Sequence, residues 1–197
     1  MRILGKSFAS ICLFVLFFYS QNLSAKIAAI VIDYDTKEIL FEINADTRNY
    51  PASLTEMMTL YILFDKLEKG KLTEKTALLV SAEAASRSPS KLYLDEGSTI
   101  KVKDAILALI IKSANEVATV VAEHIGGRER DFAKLMNKYA SNLGMKQTTF
   151  KNASGLPNRA QMTTARDIAT LSHALIKNFP NQYKLFSKKK FNWKGKT

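Results

Sequence analysis

The sequence predicts an α+β fold. Residues 26–42 read as strand, turn, strand, and from Ser53 onward most apolar positions fall at helical spacing. Apolar residues make up 47% of the 197-residue chain and charged residues 24%, a balance that supports a packed core and argues against disorder. The length suits one domain of ordinary size or part of a larger one.

Taken in order, the chain opens with a segment unlike the rest. Arg2 and Lys6 precede an apolar run from Phe8 to Tyr19, then the polar Ser20, Gln21 and Asn22 and the small Ser24 and Ala25. Residues 1–25 read as a secretory signal peptide cleaved after Ala25; the alternative is an uncleaved anchor, for which the apolar run is short. The single cysteine, Cys12, lies inside this segment, and Ile11 stands where lipid attachment wants a small residue. The remainder therefore holds no disulfide, thiol nucleophile or cysteine-ligated metal.

Next come the strand run Ile27-Ala28-Ala29-Ile30-Val31-Ile32, the turn Asp33-Tyr34-Asp35-Thr36-Lys37 and the return strand Ile39-Leu40-Phe41-Glu42. Asn44-Ala45-Asp46 leads to a helix beginning near Ser53 and ending at Gly70. Its apolar residues (Leu54, Met57, Met58, Leu60, Ile62, Leu63, Phe64, Leu67) cover most sides, as in a helix at the centre of a domain. Ala77-Leu78-Leu79-Val80 is a short apolar run. Asp104 is a fair N-cap for a helical stretch over 105–111, and a second series (Val117, Ala118, Val120, Val121, Ile125) closes at Gly126-Gly127. Residues 131–143 are amphipathic, with Gly144 as the C-terminal stop. Asn152-Ala153-Ser154-Gly155-Leu156-Pro157 is a loop by its turn residues. Thr163 or Thr164 starts a further helix through Ile176, with Asp167 completing a capping pattern. The tail from Lys188 looks like the start of a strand.

The whole chain carries +11; without Arg2 and Lys6 the remainder holds 27 basic against 18 acidic residues, a net +9. Such charge suits work near anionic envelope surfaces. Nucleic acid is not the expected partner, because the basic residues are dispersed and no nucleic-acid motif accompanies them.

Candidate chemistry begins at Ser53, which sits where backbone N–H groups at a helix start lack partners. Glu56, three residues on, shares its face. Ser-x-x-Glu is also the capping-box pattern, in which each side chain bonds the other's backbone N–H, and on spacing alone that reading leads. As a base Glu56 is expected to be poor: carboxylates titrate near ~4, a poised base near ~7, and a helix N-terminus favours the ionised form further. Ser113-Ala114-Asn115 lies between two apolar helical runs, either as a bend pointing into a cleft or as a plain polar break. His124 and His173 lie on helical patterns without partners at ligand spacing and read as ordinary histidines. No nucleophile elbow, metal cluster or phosphate-cradling glycine loop is present.

Pro51-Ala52-Ser53-Leu54-Thr55 with Met57-Met58-Thr59 resembles the active-serine segment of the low-molecular-mass penicillin-binding proteins, the serine D-Ala-D-Ala carboxypeptidases, whose signature is Ser-x-x-Lys. Lys112-Ser113-Ala114-Asn115-Glu116-Val117-Ala118 resembles the setting of their Ser-x-Asn motif. Met136-Asn137, Leu143-Gly144-Met145, Gly155-Leu156-Pro157 and Thr164-Ala165-Arg166-Asp167 follow in the family's order and rough spacing, so the resemblance covers Lys26 to about Trp193. It implies a helical cluster packed on an antiparallel sheet. It also implies Ser53 as nucleophile, Ser113 as proton relay and Asn115 as substrate contact, with no metal and no cofactor. The reaction would release the terminal D-Ala of a peptidoglycan stem peptide through an acyl-serine. β-Lactams would be covalent inhibitors, and the site of action the periplasm or the envelope face of the inner membrane, with peripheral contact to the membrane surface.

The sequence departs from the pattern in two places. Glu56 occupies the general-base position of the signature lysine. The closing Lys-Thr-Gly motif is absent, since Lys194-Gly195-Lys196-Thr197 holds those letters in another order. The expectation is a catalytic domain over 26–197, truncated before the Lys-Thr-Gly strand and impaired. The rival is a non-catalytic peptidoglycan- or β-lactam-binding remnant or gene fragment; a third reading is an envelope interaction protein that never used Ser53.

Overall fold

A computed structural model describes residues 27–194. The signal-peptide reading, Cys12, and the end of the tail from Gly195 lie outside the described residues.

The opening hairpin forms as the strand run, turn and return strand predict. Strand β1 (Ala29–Ile32) pairs antiparallel with β2 (Ile39–Ile43), Ala29 opposite Ile43, with a register shift between Val31 and Ile32. Asp33 Oδ1 holds the turn by accepting from the Asp35 and Thr36 amides at 3.0 and 2.8 Å. Lys37 takes the left-handed conformation there, with φ of +68°, in a place where a glycine would be unstrained. Every residue of β2 is exposed, including Leu40 and Phe41 at 60% and 55%.

The central helix is α1 (Thr55–Glu68), preceded by a single 3₁₀ turn over Ala52–Leu54. Ser53 thus lies in the 3₁₀ turn and not in the α-helix itself. Along α1, Met58, Leu60, Ile62, Leu63 and Phe64 are buried at 2% exposure or less, as an all-round apolar helix requires. Gly70, at φ of +62°, marks its end as expected. The run at 77–80 becomes β3 (Ala77–Leu79), which pairs with β4 (Thr99–Lys101), a strand the sequence reading did not identify. Between them lies the short helix α2 (Ala82–Ala85).

Helix α3 (Val102–Leu107) begins before the expected cap: Lys101 is the N-cap, and Asp104 falls within the first turn. The apolar run then widens into a π turn over Ala108–Lys112, so it is not one regular helix. Helix α4 (Asn115–Gly126) has six fully buried positions from Val117 to Ala122. Helix α5 (Glu129–Leu143) ends at Gly144, φ +83°. Helix α6 (Ala165–Asn178) is capped by Thr164, whose hydroxyl accepts from the Asp167 amide at 3.1 Å. The box is not reciprocal, because the Asp167 carboxylate turns to the Gln147 amide and the Thr148 hydroxyl. Helix α7 (Pro180–Tyr183) and a 3₁₀ turn (Lys184–Ser187) follow. Residues 188–194 form no strand, contrary to expectation, and carry only an isolated bridge at Trp193.

Helix α1 touches α4, α5 and α6, and the hairpin leans on α6 through β1. The fold is therefore the expected helical cluster with antiparallel strands at its margin, split into two separate two-stranded sheets among the described residues. An antiparallel bridge between Asn49 and Thr163, at 2.8 and 2.9 Å, ties the approach to Ser53 to the start of α6. Arg166 adds ion pairs to Asp46 and Glu42.

Candidate active site

Ser53 and Ser113 are 60 residues apart in sequence and meet in space: Ser113 Oγ lies 2.8 Å from Ser53 Oγ and 2.7 Å from Glu56 Oε2. Three of the four site residues read from the sequence therefore form one hydrogen-bonded row. Ser53 is exposed, Ser113 partly exposed, and Glu56 buried at 4% exposure.

Two left-handed residues create this meeting. Ala52, at φ +45°, turns the chain just before Ser53, and Ser113 itself has φ +51° and ψ +54° at the end of the π turn. Left-handed conformations in non-glycine residues cost free energy and persist where packing enforces them. At Ala52 the enforcing partner is the 152–157 loop: a Cβ on Gly155, φ +93°, would lie 1.9 Å from the Ala52 carbonyl oxygen. The same loop is bonded to α1, with the Thr59 hydroxyl donating to the Ala153 carbonyl at 2.7 Å. Gly155 is thus a site-shaping residue. Sequence reasoning placed it in a loop without a role; a glycine in a turn-rich stretch was the available signal.

Asn115 lies on the same rim but outside the row. It is 8% exposed, its Nδ2 donates to the Ser88 carbonyl at 2.9 Å, and its amide donates to the Ser90 carbonyl at 2.8 Å. The Ser90 hydroxyl donates back to the Lys112 carbonyl at 2.7 Å. Glu116 completes this wall: fully buried, it accepts from the Leu92 and Tyr93 amides through Oε1. Burial pushes its carboxyl above the usual range, while its own amide, those of Leu92 and Tyr93, and Lys91 pull the other way. Neither the 88–93 loop nor Glu116 was singled out from sequence. The loop has no periodicity, and Glu116 entered only as part of the Lys112–Ala118 resemblance, without a role of its own.

The capping-box reading of Ser53 and Glu56 does not hold. No side chain caps the 3₁₀ turn or α1, and Glu56 reaches across to Ser113 instead of back to a backbone amide. The expectation of an ordinary acidic carboxyl fails as well. Burial pushes the Glu56 pKa from 4.5 to about 8, against a smaller lowering by the Ser113 hydroxyl. Desolvation penalises the charged form, and at 4% exposure it outweighs any help from the helix N-terminus. Glu56 Oε1 is buried with no hydrogen-bond partner.

A cavity of about 850 Å³ lies elsewhere, between β1 and α6, lined by Ile30, Ile32, Leu54, Ile168, His173 and Ile176 among others. Neither Ser53, Glu56 nor Ser113 lines it, so its size does not bear on the serine chemistry. His173 there contacts Lys37 Nζ and lies 4.9 Å from the Tyr34 ring, ring centre to ring centre. No group of three or more potential metal ligands is found among the described residues.

Comparison with known proteins gives concordant matches. The family model described as peptidase S11, D-alanyl-D-alanine carboxypeptidase, matches residues 19–197. The D-alanyl-D-alanine carboxypeptidase DacA of Haemophilus influenzae is 35% identical over 167 residues, 83% of this chain and 42% of that protein. The crystal structure of penicillin binding protein 5 from Haemophilus influenzae superposes with a TM-score of 0.82 at 34% identity, over 85% of this chain and 50% of that one. Penicillin-binding protein D2 from Listeria monocytogenes, solved in its ampicillin-bound form, gives 0.74 at 32% identity, over 82% and 65% of the two chains. The chain spans less than half the length of the curated relatives it matches.

Proposed function

The chain belongs to the D-alanyl-D-alanine carboxypeptidase family, peptidase S11, and from that membership we propose that Ser53 is an acyl-forming nucleophile acting on the terminal D-Ala-D-Ala of peptidoglycan stem peptides. The observation that carries the reading is the 2.8 Å contact between the Ser53 and Ser113 hydroxyls. As Ser53 Oγ bonds to the carbonyl carbon, its proton passes to Ser113. Ser113 delivers a proton to the amine nitrogen as the C–N bond breaks, D-Ala leaves, and water hydrolyses the acyl-serine. Asn115, anchored through Nδ2, offers Oδ1 to an N–H of the stem peptide. A β-lactam presents the same kind of carbonyl, and the ampicillin-bound relative supports its use as a covalent inhibitor. No step calls for a metal or cofactor.

The net charge of +9 outside residues 1–25 and the leader pattern within them support an exported protein in the periplasm or on the envelope face of the inner membrane, in peripheral contact with its surface. No helix among the described residues is long and apolar enough to cross a membrane.

Glu56 favours an impaired enzyme. With a pKa of about 8 it is largely neutral at pH 7, and it places no positive charge beside the acyl intermediate as the signature lysine would. The same fact supports the second reading, a stem-peptide- or β-lactam-binding remnant without turnover. Fluorescent penicillin and D-Ala release from a pentapeptide separate these. Covalent labelling lost in Ser53→Ala, with D-Ala release that rises in Glu56→Lys, is the expected result. Labelling that survives Ser53→Ala would overturn the nucleophile assignment.

A further inference from the structure

Resting on the reading of Ser53 as nucleophile, we infer that Glu56, acting through Ser113, is the proton acceptor for Ser53, so that acylation of this chain is switched on by alkaline pH. The geometry carries the argument. Ser113 has one hydroxyl hydrogen and two oxygen neighbours, Ser53 Oγ at 2.8 Å and Glu56 Oε2 at 2.7 Å. One hydrogen serves one partner at a time. The protonation state of Glu56 therefore fixes the direction of the whole row. When Glu56 is neutral its O–H donates to Ser113, and Ser113 donates to Ser53. The Ser53 oxygen is then an acceptor, and its own proton has no base in the row.

When Glu56 is ionised the row reverses. Ser113 donates to the carboxylate and Ser53 donates to Ser113. Attack then balances: the bond from Ser53 Oγ to the carbonyl carbon forms as the Ser53 O–H bond breaks. Its proton moves to Ser113, and the Ser113 proton moves to Glu56 Oε2. Collapse of the tetrahedral intermediate reverses the transfer, and Glu56 returns a proton through Ser113 to the leaving nitrogen. The carboxylate is regenerated with no outside reactant.

Little else in the surroundings tunes this group. On α4, Glu116 is committed to the Leu92 and Tyr93 amides. Arg87 pairs with Glu83 and Glu129, and Asp65, near the far end of α1, with Lys69 and Tyr139. Lys112, next to Ser113, is exposed. Burial and the Ser113 hydroxyl are the influences on Glu56, and no charged side chain adds to them. A buried carboxyl poised near 8 is also a stronger base than an ordinary one.

The test is the rate of covalent labelling by fluorescent penicillin between pH 6 and 9.5, with Ser53→Ala as background. The wild-type rate is expected to climb about tenfold per pH unit as the ionised fraction grows, then level off above pH 8. Glu56→Gln, close in shape, should lose the climb, and so should Ser113→Ala. Wild-type labelling at Ser53 with a flat profile, or a climb retained in Glu56→Gln, overturns the inference and leaves the nucleophile assignment standing. Absence of labelling at every pH in wild type and in Glu56→Lys, both folded by circular dichroism, overturns that assignment and the inference with it.

Discussion

Replacing Glu56 by Gln should make the chain's stability less sensitive to pH, by an amount the structure sets. The carboxyl is buried at 4% exposure, with a folded-state pKa raised from 4.5 to about 8. An acid whose pKa is raised on folding binds its proton more tightly in the folded state. Below pH 4.5 both states hold the proton, and the group adds no pH-dependent cost. Between 4.5 and 8 the unfolded chain ionises while the folded one does not, so stability falls by up to ~1.4 kcal/mol per pH unit. Above 8 both are ionised and the deficit stays constant, at most about 5 kcal/mol for the whole shift, less where the surroundings relax. Gln at the same position does not titrate. The gap between variant and wild type should therefore widen by about 3 kcal/mol from pH 5 to pH 7. Glu116, whose pKa is also raised, is present in both proteins and cancels. Urea unfolding of the two proteins at intervals from pH 5 to 8.5, read from midpoints at a common m-value, measures this gap. A gap constant within about 0.5 kcal/mol, an ordinary surface-scale effect, would mean that Glu56 titrates like an exposed carboxyl. The account of its burial would then be wrong.

Other perturbations test the shaping of the site and its margin. Gly155→Ala forces a Cβ to 1.9 Å from the Ala52 carbonyl oxygen at a φ of +93°, so it should cost about 2 kcal/mol or more and slow Ser53 labelling at least tenfold; unchanged unfolding midpoint and labelling rate would refute the role given to the loop. Phe41→Lys places a charge on the exposed β2, where Leu40 and Phe41 now face solvent, and should reduce concentration-dependent self-association in light scattering without lowering the unfolding midpoint. Association unchanged by the lysine would show that the hairpin face is not what promotes it.

Much was legible in the sequence because it depends on near neighbours in the chain. The two short apolar runs around the turn at 33–37 specified a hairpin, and the apolar residues from Met57 to Phe64 specified a buried helix. Gly144 and Thr164 marked helix ends because their backbone demands are local. Strand β4 was missed because three residues carry too little periodicity, and pairing with β3 across the chain supplied what Thr99–Lys101 alone did not. The π turn was hidden because an apolar run has the same composition whether it winds by α or by π spacing.

The residue types at 53, 56, 113 and 115 were set by the sequence, as was membership in a serine peptidase family. Tertiary structure alone decided that the hydroxyls of Ser53 and Ser113 touch, and which way Glu56 points. It also inverted the expected chemistry of that glutamate. A helix N-terminus acts from a few residues away and favours the carboxylate. Loss of water is the summed effect of helices and loops distant in the chain, and at Glu56 that sum prevails. Proton affinity inside a fold belongs to the whole surroundings of a group, which no window of sequence contains.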